Sequence, residues 1–284
     1  MGEIMILFQD RPSFEAAWDA TSYRVIMGGM GDDTIMMIAE LYDRGYEPDE
    51  VVFCDTGSEF PHTYKVIEFV KQWMADRNWS KFTHLKKYKP DGTELKLIEM
   101  VEEQGTLPAA AFGSKSCSLR FKTETADVYF NNNPDVLKAI GSAYKGSRLD
   151  SHTGQILRIV GINFDEPERA ARWVPEHKWL QVFPLFDWEI GERESTAVER
   201  VGLYYPGKSS CVMCPHLSKS ELEMLQSDYP EIFIRVLNIE SVYRETQMTP
   251  ESSTIGLCRG KTIAMKMAES FCDPFENKKC GECK

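Results

Sequence analysis

The stretch Gly29-Met30-Gly31-Asp32-Asp33-Thr34 is the segment that decides the expected fold. It follows an apolar run, Tyr23 to Met27, and opens a helical pattern that extends to Asp43. A strand followed by a glycine turn and a helix is typical of a parallel α/β sheet. Glycine lets the backbone approach a phosphate, and a helix N-terminus offers N–H groups and a positive dipole end. We therefore predict a phosphate-binding turn here.

A second turn repeats this arrangement. Cys54-Asp55-Thr56-Gly57-Ser58-Glu59 follows the run Val51 to Phe53 and precedes a helical pattern that begins near Pro61. Ligands of parallel sheets bind beyond the carboxyl ends of the strands, where both turns fall. The two turns together predict a nucleotide site. Thr56 or Ser58 with Glu59 also suits a helix cap, and the two roles are compatible.

The rest of the chain continues the α/β pattern and then becomes mainly helical. Strands are predicted at Phe82 to Leu85, Gln155 to Ile162 and Leu180 to Leu185, helices at Glu94 to Glu103, Thr125 to Phe130, Glu221 to Ser227, Glu231 to Arg244 and Lys261 to Phe271, and mostly loop at 108–123. We expect a Rossmann-like parallel sheet of about five strands. We divide the chain into an α/β domain, 1–190, and a helical region, 191–284; alternatively, the later helices pack on the sheet.

Charge and hydropathy exclude several classes of protein. The 284 residues carry a net charge of −11, which argues against broad binding to nucleic acid but allows a small basic pocket. Apolar runs of about 18 residues are absent, so we expect no membrane span. The first residues lack the basic start and apolar core of a signal peptide, and we expect a cytoplasmic protein.

Four of the eight cysteines form two closely spaced pairs. Cys211-Val212-Met213-Cys214 and Cys280-Gly281-Glu282-Cys283 are two CxxC pairs. In a reducing compartment such pairs bind metal or carry out redox chemistry more often than they form a disulfide framework. The terminal pair, Cys280 and Cys283, is then a redox pair, a pair of metal ligands, or part of a tail without a role.

Six segments in order resemble the phosphoadenosine phosphosulfate reductase family of the PP-loop superfamily of ATP pyrophosphatases. They are the glycine turn with Asp33-Thr34; Phe53 to Gly57 with Glu59 to Pro61 and Thr63-Tyr64; Cys117 to Lys122; Gly161-Ile162 with Asp165, Glu166 and Arg169; Pro184-Leu185 with Asp187-Trp188; and Ser209 to Pro215. These segments span residues 23–240. The resemblance implies the adenine nucleotide α-hydrolase-like fold, with a cysteine-containing helical C-terminal region.

The resemblance also implies a set of site residues. Those expected to bind ATP or a related adenine nucleotide are Gly28, Gly29, Gly31, Asp33, Thr34, Asp55, Thr56, Gly57, Glu59, Arg120, Lys122, Asp165, Glu166 and Arg169. Asp33, Asp55 and Lys122 are the expected catalytic residues, and Mg²⁺ is the expected metal.

The glycine turn departs from the family pattern. The family usually reads Ser-Gly-Gly-Lys-Asp-Ser, and alignment on the last two positions puts Asp32 in the lysine position. Lys122, Arg120 or Arg169 are candidates to replace that charge, as is Mg²⁺ held by Asp32 or Asp33. The alternative is a decayed loop that no longer hydrolyses ATP. Asn163 stands where an arginine is common, which removes an anion contact.

Three cysteines correspond to the family's metal centre. Cys117, Cys211 and Cys214 match three of the four thiolates that hold a [4Fe-4S] cluster in related enzymes, which would leave one iron open. Zinc is the alternative, with Cys258, Cys272, His216 or the terminal pair completing the site. A third interpretation is that these cysteines are structural.

These features together predict a nucleotide-dependent enzyme that activates or transfers sulfur. It is either a sulfurtransferase that adenylates its acceptor or a sulfonucleotide reductase. The implied partners are a sulfur donor or a thioredoxin-like reductant, with tRNA or DNA as candidate acceptors and no membrane. The other classes we consider are a nucleotide sensor without catalysis and a structural metal protein.

Overall fold

A computed structural model describes residues 11–141, 156–174, 176 and 179–269. Its centre is a sheet of five parallel strands: β1 (Tyr23–Met27), β2 (Glu50–Asp55), β3 (Lys81–Lys86), β4 (Ile156–Ile159) and β5 (Trp179–Val182). Their order in space is β3-β2-β1-β4-β5. The predicted α/β fold with a Rossmann-like parallel sheet is confirmed.

Helices make up most of the remaining structure. The α-helices are α1 (Phe14–Ala20), α2 (Asp32–Asp43), α3 (Pro61–Asp76), α4 (Leu97–Gln104), α5 (Ser116–Ser118), α6 (Glu124–Asn132), α7 (Pro134–Ala139), α8 (Pro167–Ala170), α9 (Pro184–Asp187), α10 (Ala197–Arg200), α11 (Lys219–Asp228), α12 (Pro230–Thr246) and α13 (Ile263–Met267). A 3₁₀ helix covers Ala109–Phe112 and a π-helix covers Leu119–Thr123. The C-terminal region is mostly helical, as predicted.

Both faces of the sheet are covered, which explains the continuous apolar runs in its strands. Every residue of β2 is buried. Val51 and Phe53 join an apolar core with α2 and α3, whereas Val52 and Cys54 join another with α6 and α7. Successive side chains of a strand point to opposite faces, so two covered faces require apolar residues at consecutive positions.

The strand order reverses at β1. From β1 the chain goes to β2 and β3 on one side, and it later returns to β4 and β5 on the other side. The connections on the two sides diverge at the carboxyl ends of β1 and β4, which leaves a crevice there. The fold therefore places its natural binding position between the segments that follow Met27 and Ile159.

The chain packs as two compact units. The first is Met1–Lys96 with Ser118–Cys211, and the second is Leu97–Cys117 with Val212–Lys284, each represented by its described residues. In the second unit Arg235 of α12 forms a bidentate pair with Glu102 of α4, at 2.6 Å for both contacts. Our division of the chain at residues 190 and 191 stays a prediction.

The structure differs from the sequence prediction over residues 108–123. We predicted mostly loop, but the 3₁₀ helix, α5 and the π-helix occupy much of this stretch. Helical pieces of three to five residues are too short to show a hydrophobic period, so the sequence carries no signal for them. Cys272, Cys280 and Cys283, with the predicted end of the last helix, lie outside the described residues.

Membrane-spanning helices are absent from the described residues. Among the described helices, none combines the length and the hydropathy that crossing a bilayer requires.

Candidate functional site

The turn after β1 requires glycine because of a close side-chain approach. A Cβ atom on Gly28 would lie 2.4 Å from Oγ1 of Thr34, which is itself buried. Met30 has a left-handed backbone, with φ of 62°, and its side chain is buried. The chain then enters α2 at Asp32, where the first-turn N–H groups have no partners inside the helix. This geometry suits an anion.

The turn after β4 packs directly on the start of α2. A Cβ atom on Gly161 would lie 2.9 Å from the backbone oxygen of Asp33, so glycine is required at this position too. Asn163 Nδ2 donates a hydrogen bond to Asp33 Oδ1 at 3.1 Å. The asparagine that replaces a common arginine therefore orients the predicted catalytic carboxylate.

The two turns line one cavity of about 670 Å³. This volume lies within the range of about 300–1,000 Å³ that is usual for small-molecule sites. The predicted nucleotide-binding residues that line it are Gly28, Gly29, Gly31, Asp33, Thr34, Lys122, Asp165, Glu166 and Arg169. The predicted residues that are not among its lining are Asp55, Thr56, Gly57, Glu59 and Arg120.

The charges around the cavity are nearly balanced. Its basic residues are Lys122, Arg169, Arg193 and Lys208, and its acidic residues are Asp32, Asp33, Asp165, Glu166 and Glu192. Several of them pair with each other: Arg169 Nη1 lies 2.8 Å from Glu166 Oε2 and 4.0 Å from Asp33 Oδ2. An anionic ligand would therefore meet cations that are already positioned by carboxylates.

Asp32, which stands in the family's lysine position, is buried and has charged and polar partners. Its Oδ2 lies 2.7 Å from Nε of Arg193, and its Oδ1 accepts a hydrogen bond from Gly207 N at 2.7 Å. The Asp32 N–H also donates to Gly207 O at 3.1 Å. Both carboxylate oxygens are thus engaged by protein groups, and a role of Asp32 in holding Mg²⁺ stays a prediction.

Asp33 is the other acid of this turn, and its environment disfavours the charged form. Burial raises the pKa of Asp33 above its ordinary value, and Glu166 adds to the effect, while the Asn163 hydrogen bond and Arg169 oppose it. A carboxyl group with a raised pKa in a cavity is suited to bind a cation or to exchange a proton.

The carboxylate of Asp165 holds backbone of a neighbouring segment. Its Oδ2 accepts a hydrogen bond from Glu192 N at 2.7 Å, and Phe164 N donates to Ile190 O at 2.8 Å. These two hydrogen bonds hold residues 190–193 against the turn after β4. We predicted Asp165 as a nucleotide contact, and the structure gives it this supporting contact in addition.

Asp55, at the end of β2, is enclosed by its own neighbours. It is buried, and it contacts His84 Nε2 at 2.8 Å, Tyr64 OH at 2.9 Å and Gly57 N at 2.7 Å. Burial by itself raises the pKa of Asp55, but the hydrogen bonds from His84, Gly57 and Tyr64 outweigh burial and lower it. The catalytic role of Asp55 stays a prediction, because this carboxylate is not among the residues that line the cavity.

Thr56 and Glu59, in the turn after β2, contact each other. Thr56 Oγ1 donates to Glu59 Oε1 at 3.0 Å, and both side chains are buried. Burial raises the pKa of Glu59, an effect that Lys122 partly offsets. The capping interpretation is wrong, because α3 begins at Pro61 with Phe60 as its N-cap residue and no side chain caps it.

Lys122 and Arg120 lie on the same π-helix but have different surroundings. Lys122 lines the cavity, whereas the backbone oxygen of Arg120 accepts a hydrogen bond from Lys87 Nζ at 2.6 Å. Single π-helical turns inside helical segments are frequent at functional sites. Of these two predicted cations, the structure brings only Lys122 to the cavity.

The three cysteines of the predicted metal centre lie in different local structures. Cys117 lies on α5, and Cys211 pairs with Glu59 in an isolated antiparallel β-bridge. Cys214 O accepts a hydrogen bond from Leu217 N at 3.1 Å. Among the described residues, no three His, Cys, Asp or Glu side chains are arranged to hold a metal ion. The metal centre at Cys117, Cys211 and Cys214 stays a prediction.

Some residues that line the cavity had no predicted role in the site. They include Glu192, Arg193, Lys208 and Ser209. Ser209 begins one of the segments that resemble the family, so its position next to the cavity had a signal in the motif. Arg193 lies 161 residues from its partner Asp32, in a charged segment with no motif. Only the tertiary structure identifies that residue.

Comparisons with known proteins leave the family open. No family model matches the chain. The uncharacterized protein MJ0066 of Methanocaldococcus jannaschii is 25% identical over 231 residues, which cover 78% of this chain and 42% of that protein. The chain thus spans less than half the length of this relative.

Among solved structures, the similarity is weak in the following case. The U34-tRNA thiolase NcsA from Methanococcus maripaludis with its [4Fe-4S] cluster has a TM-score of 0.40 and 13% identity, with 94% of this chain and 87% of that chain covered. A similarity at this level supports no argument about function.

Proposed function

We propose that this chain is a PP-loop enzyme of the phosphoadenosine phosphosulfate reductase type. It binds ATP or a related adenine nucleotide in the cavity between the turns after β1 and β4. It uses the nucleotide to activate or transfer sulfur. The domain boundary at residue 190 is part of this proposal, and so are the site residues assigned from the sequence that line this cavity.

One observation carries the proposal. Residues from three separate parts of the sequence, represented by Gly31, Lys122 and Arg169, line one cavity at the point where the strand order reverses. Each of them resembles a nucleotide-binding residue of one family, and that resemblance contains no information about distances in space. A chance resemblance would scatter such residues over the surface. Their convergence at the usual ligand position of an open α/β sheet supports nucleotide binding.

The cavity has groups suited to phosphate chemistry. The N-terminus of α2 offers backbone N–H groups to a phosphate, and Lys122 and Arg169 offer positive charge. In a sulfurtransferase, an acceptor oxygen attacks the α-phosphate of ATP, pyrophosphate leaves, and sulfur then displaces AMP. Fixed donors that face the developing negative charge would stabilise that transition state.

Binding and product release test the proposal. We expect calorimetry to give a Kd below about 1 mM for ATP or for phosphoadenosine phosphosulfate. Release of AMP and pyrophosphate would identify an ATP-dependent sulfurtransferase, whereas release of sulfite with a thioredoxin-like reductant would identify a reductase. Lys122→Ala should lower turnover at least tenfold. Lys71→Ala, which changes a partly exposed lysine on α3, is the matched control. Failure to bind any adenine nucleotide would refute the proposal.

A second candidate is a nucleotide-binding protein without catalysis. It is favoured by Asp32, because the family's phosphate-facing lysine is missing and a buried acid stands in its place. Such a protein would bind ATP tightly and release neither AMP nor pyrophosphate when supplied with sulfide and tRNA or DNA acceptors. Any nucleotide-dependent product formation that requires Lys122 would exclude this candidate.

A further inference from the structure

Asp32 joins three segments of the chain at the edge of the cavity. From the start of α2, its Oδ2 contacts Arg193 Nε at 2.7 Å and its Oδ1 accepts from Gly207 N at 2.7 Å. Arg193 and the neighbour of Gly207, Lys208, both line the cavity. The Asp32 carboxylate thus binds two segments, and each segment places a cation at the cavity.

The segment that carries Arg193 is held in an unusual conformation. Arg193 has φ of 56°, in the left-handed region that an arginine rarely adopts. The preceding residue is tied down by the Glu192 N–H bond to Asp165, and Gly191 N donates to Glu194 Oε2 at 3.0 Å. Backbone strain of this kind persists where surrounding contacts maintain it, and it is concentrated at functional sites.

The guanidinium of Arg193 retains capacity to bind a ligand. A guanidinium has five N–H donors in a planar fork, and Asp32 engages the one on Nε. The Arg193 side chain is 55% exposed at the cavity wall. Its remaining donors match the geometry of phosphate oxygens, which arginine binds in pairs.

We propose that Arg193 is the phosphate-binding cation that takes the place of the missing lysine, beside Lys122 and Arg169, and that Asp32 is the positioning residue that holds it. The charge that the family places on the glycine turn is thereby supplied from a distant segment, and the acid on the turn orients it. This inference rests on the proposed function, since the phosphates are those of the bound nucleotide.

Binding of ATP and of adenosine to the full chain tests this assignment. Arg193→Gln should weaken ATP binding by about 10- to 100-fold, because it removes charge-assisted hydrogen bonds to phosphate. It should leave adenosine binding unchanged. A merely structural role for Arg193 would weaken both ligands together. Arg193→Lys, which keeps the charge but not the fork, should recover part of the loss.

Substitutions of Asp32 distinguish two interpretations of this residue. Either Asp32 positions Arg193, or it marks a glycine turn that has lost its phosphate-binding function. Asp32→Lys restores the family's residue, yet we expect it to weaken ATP binding because it repels Arg193. Combining Asp32→Arg with Arg193→Asp should recover affinity relative to either single change. If Asp32→Lys instead strengthens ATP binding, the positioning role is wrong.

A matched control is available at the other end of α2. Arg200 forms an ion pair with Asp43 at the other end of α2, and its side chain is 57% exposed. Arg200→Gln should leave the affinity for ATP at the wild-type value. If Arg193→Gln behaves like this control while the wild type binds ATP, Arg193 is not the phosphate-binding cation.

Inorganic triphosphate distinguishes this inference from the proposed function. Wild-type protein that binds triphosphate through Arg193 but binds neither ATP nor adenosine would overturn the nucleotide proposal and retain the role of Arg193. Wild-type protein that binds neither ATP nor triphosphate would overturn both.

Discussion

The turns after β1 and β2 each place a buried aspartate at a strand end, but the two aspartates have different kinds of partner. Asp32 contacts Arg193 and Gly207, which come from distant segments and lie beside a cavity. Asp55 contacts His84, Tyr64 and Gly57, which enclose it. The sequence predicted a nucleotide site at both turns, and the 670 Å³ cavity is lined by residues of the first turn but not by Asp55, Thr56, Gly57 or Glu59 of the second.

The position of each strand in the sheet explains this difference. β1 lies where the strand order reverses, so the chain leaves its end and that of β4 in opposite directions and a crevice forms. β2 lies between β1 and β3, and His84 from β3 reaches across to Asp55. A polar strand end inside a continuous run of strands is closed by its neighbours, whereas one at the reversal point is open to a ligand.

Asp55→Ala should have the largest effect, and it should be an effect on stability. Removing this carboxylate leaves His84 and Tyr64 without their partner, and the loss of a buried charge network costs about 3 kcal/mol. We expect urea unfolding to show this loss while the affinity for ATP stays within about twofold of wild type.

Asp91→Ala is the control for that change. Asp91 is exposed and accepts hydrogen bonds from the backbone and hydroxyl of Thr93, so its loss should leave the stability close to that of the wild type. Asp55→Ala protein with wild-type stability and weak ATP binding would place Asp55 in the ligand site and remove the contrast between the two turns.

Gly161→Ala should weaken ATP binding at the open end of the sheet. The new Cβ would lie 2.9 Å from the backbone oxygen of Asp33, so either the turn after β4 or the start of α2 must move. We expect a loss of about tenfold in affinity, since overpacking of this kind costs about 1–3 kcal/mol. Titration of ATP by calorimetry would measure it.

Gly45→Ala provides the comparison for this substitution. Gly45 follows α2 at its other end, has φ of 77°, and has open space where its Cβ would be. The change should lower stability by about 1 kcal/mol without affecting ATP affinity. Equal ATP affinities for the two variants would show that contact between the two turns is not needed for binding.

Asp33 and Asp55 should make opposite contributions to the pH dependence of stability. The pKa of Asp33 is raised in the folded protein, so its charge destabilises the fold at neutral pH, and this penalty disappears as the pH falls through that pKa. The pKa of Asp55 is lowered, so its stabilisation is present above about pH 4 and is lost as the pH falls further.

Urea unfolding of Asp33→Asn and Asp55→Asn at several pH values would measure these contributions. At pH 7 we expect Asp33→Asn to match or exceed wild-type stability by up to about 1 kcal/mol, and Asp55→Asn to be less stable. Both differences should shrink in acid. Destabilisation by Asp33→Asn at pH 7 that persists in acid would mean that its side-chain contacts outweigh its charge.

Cysteine labelling should show the smallest effect, a difference in rate without a change in structure. Burial raises the pKa of the Cys54 thiol to about 11, although Lys122 and Arg158 oppose this shift. Cys117 is only partly buried. Iodoacetamide at pH 8 should therefore label Cys117 at least about tenfold faster than Cys54, as peptide mass spectrometry would show. Equal rates in the native protein would mean that the end of β2 is open to solvent.

The strands were predictable because their signal is local. β1, β2 and β4 lie in apolar runs that contain β-branched residues, and polar or glycine residues mark where these three strands end. The cavity residues near Gly31 and Asp165 were predictable for the same reason, because each belongs to a turn that directly follows a strand. The short helices within residues 108–123 had no such periodic signal.

The sequence by itself determined the α/β sheet, the glycine turn after β1 and the presence of an acid at the position where the family that it resembles has a lysine. Whether that acid destroys the site or supports it depends on its partners. Arg193 and Gly207 lie 161 and 175 residues away from Asp32 along the chain, and no local pattern links them to it. The tertiary structure decided this pairing, and it also decided that the end of β2 is closed while the end of β1 is open. Local composition determines which segments form strands and turns, whereas a site depends on which strand ends meet and which distant side chains reach them.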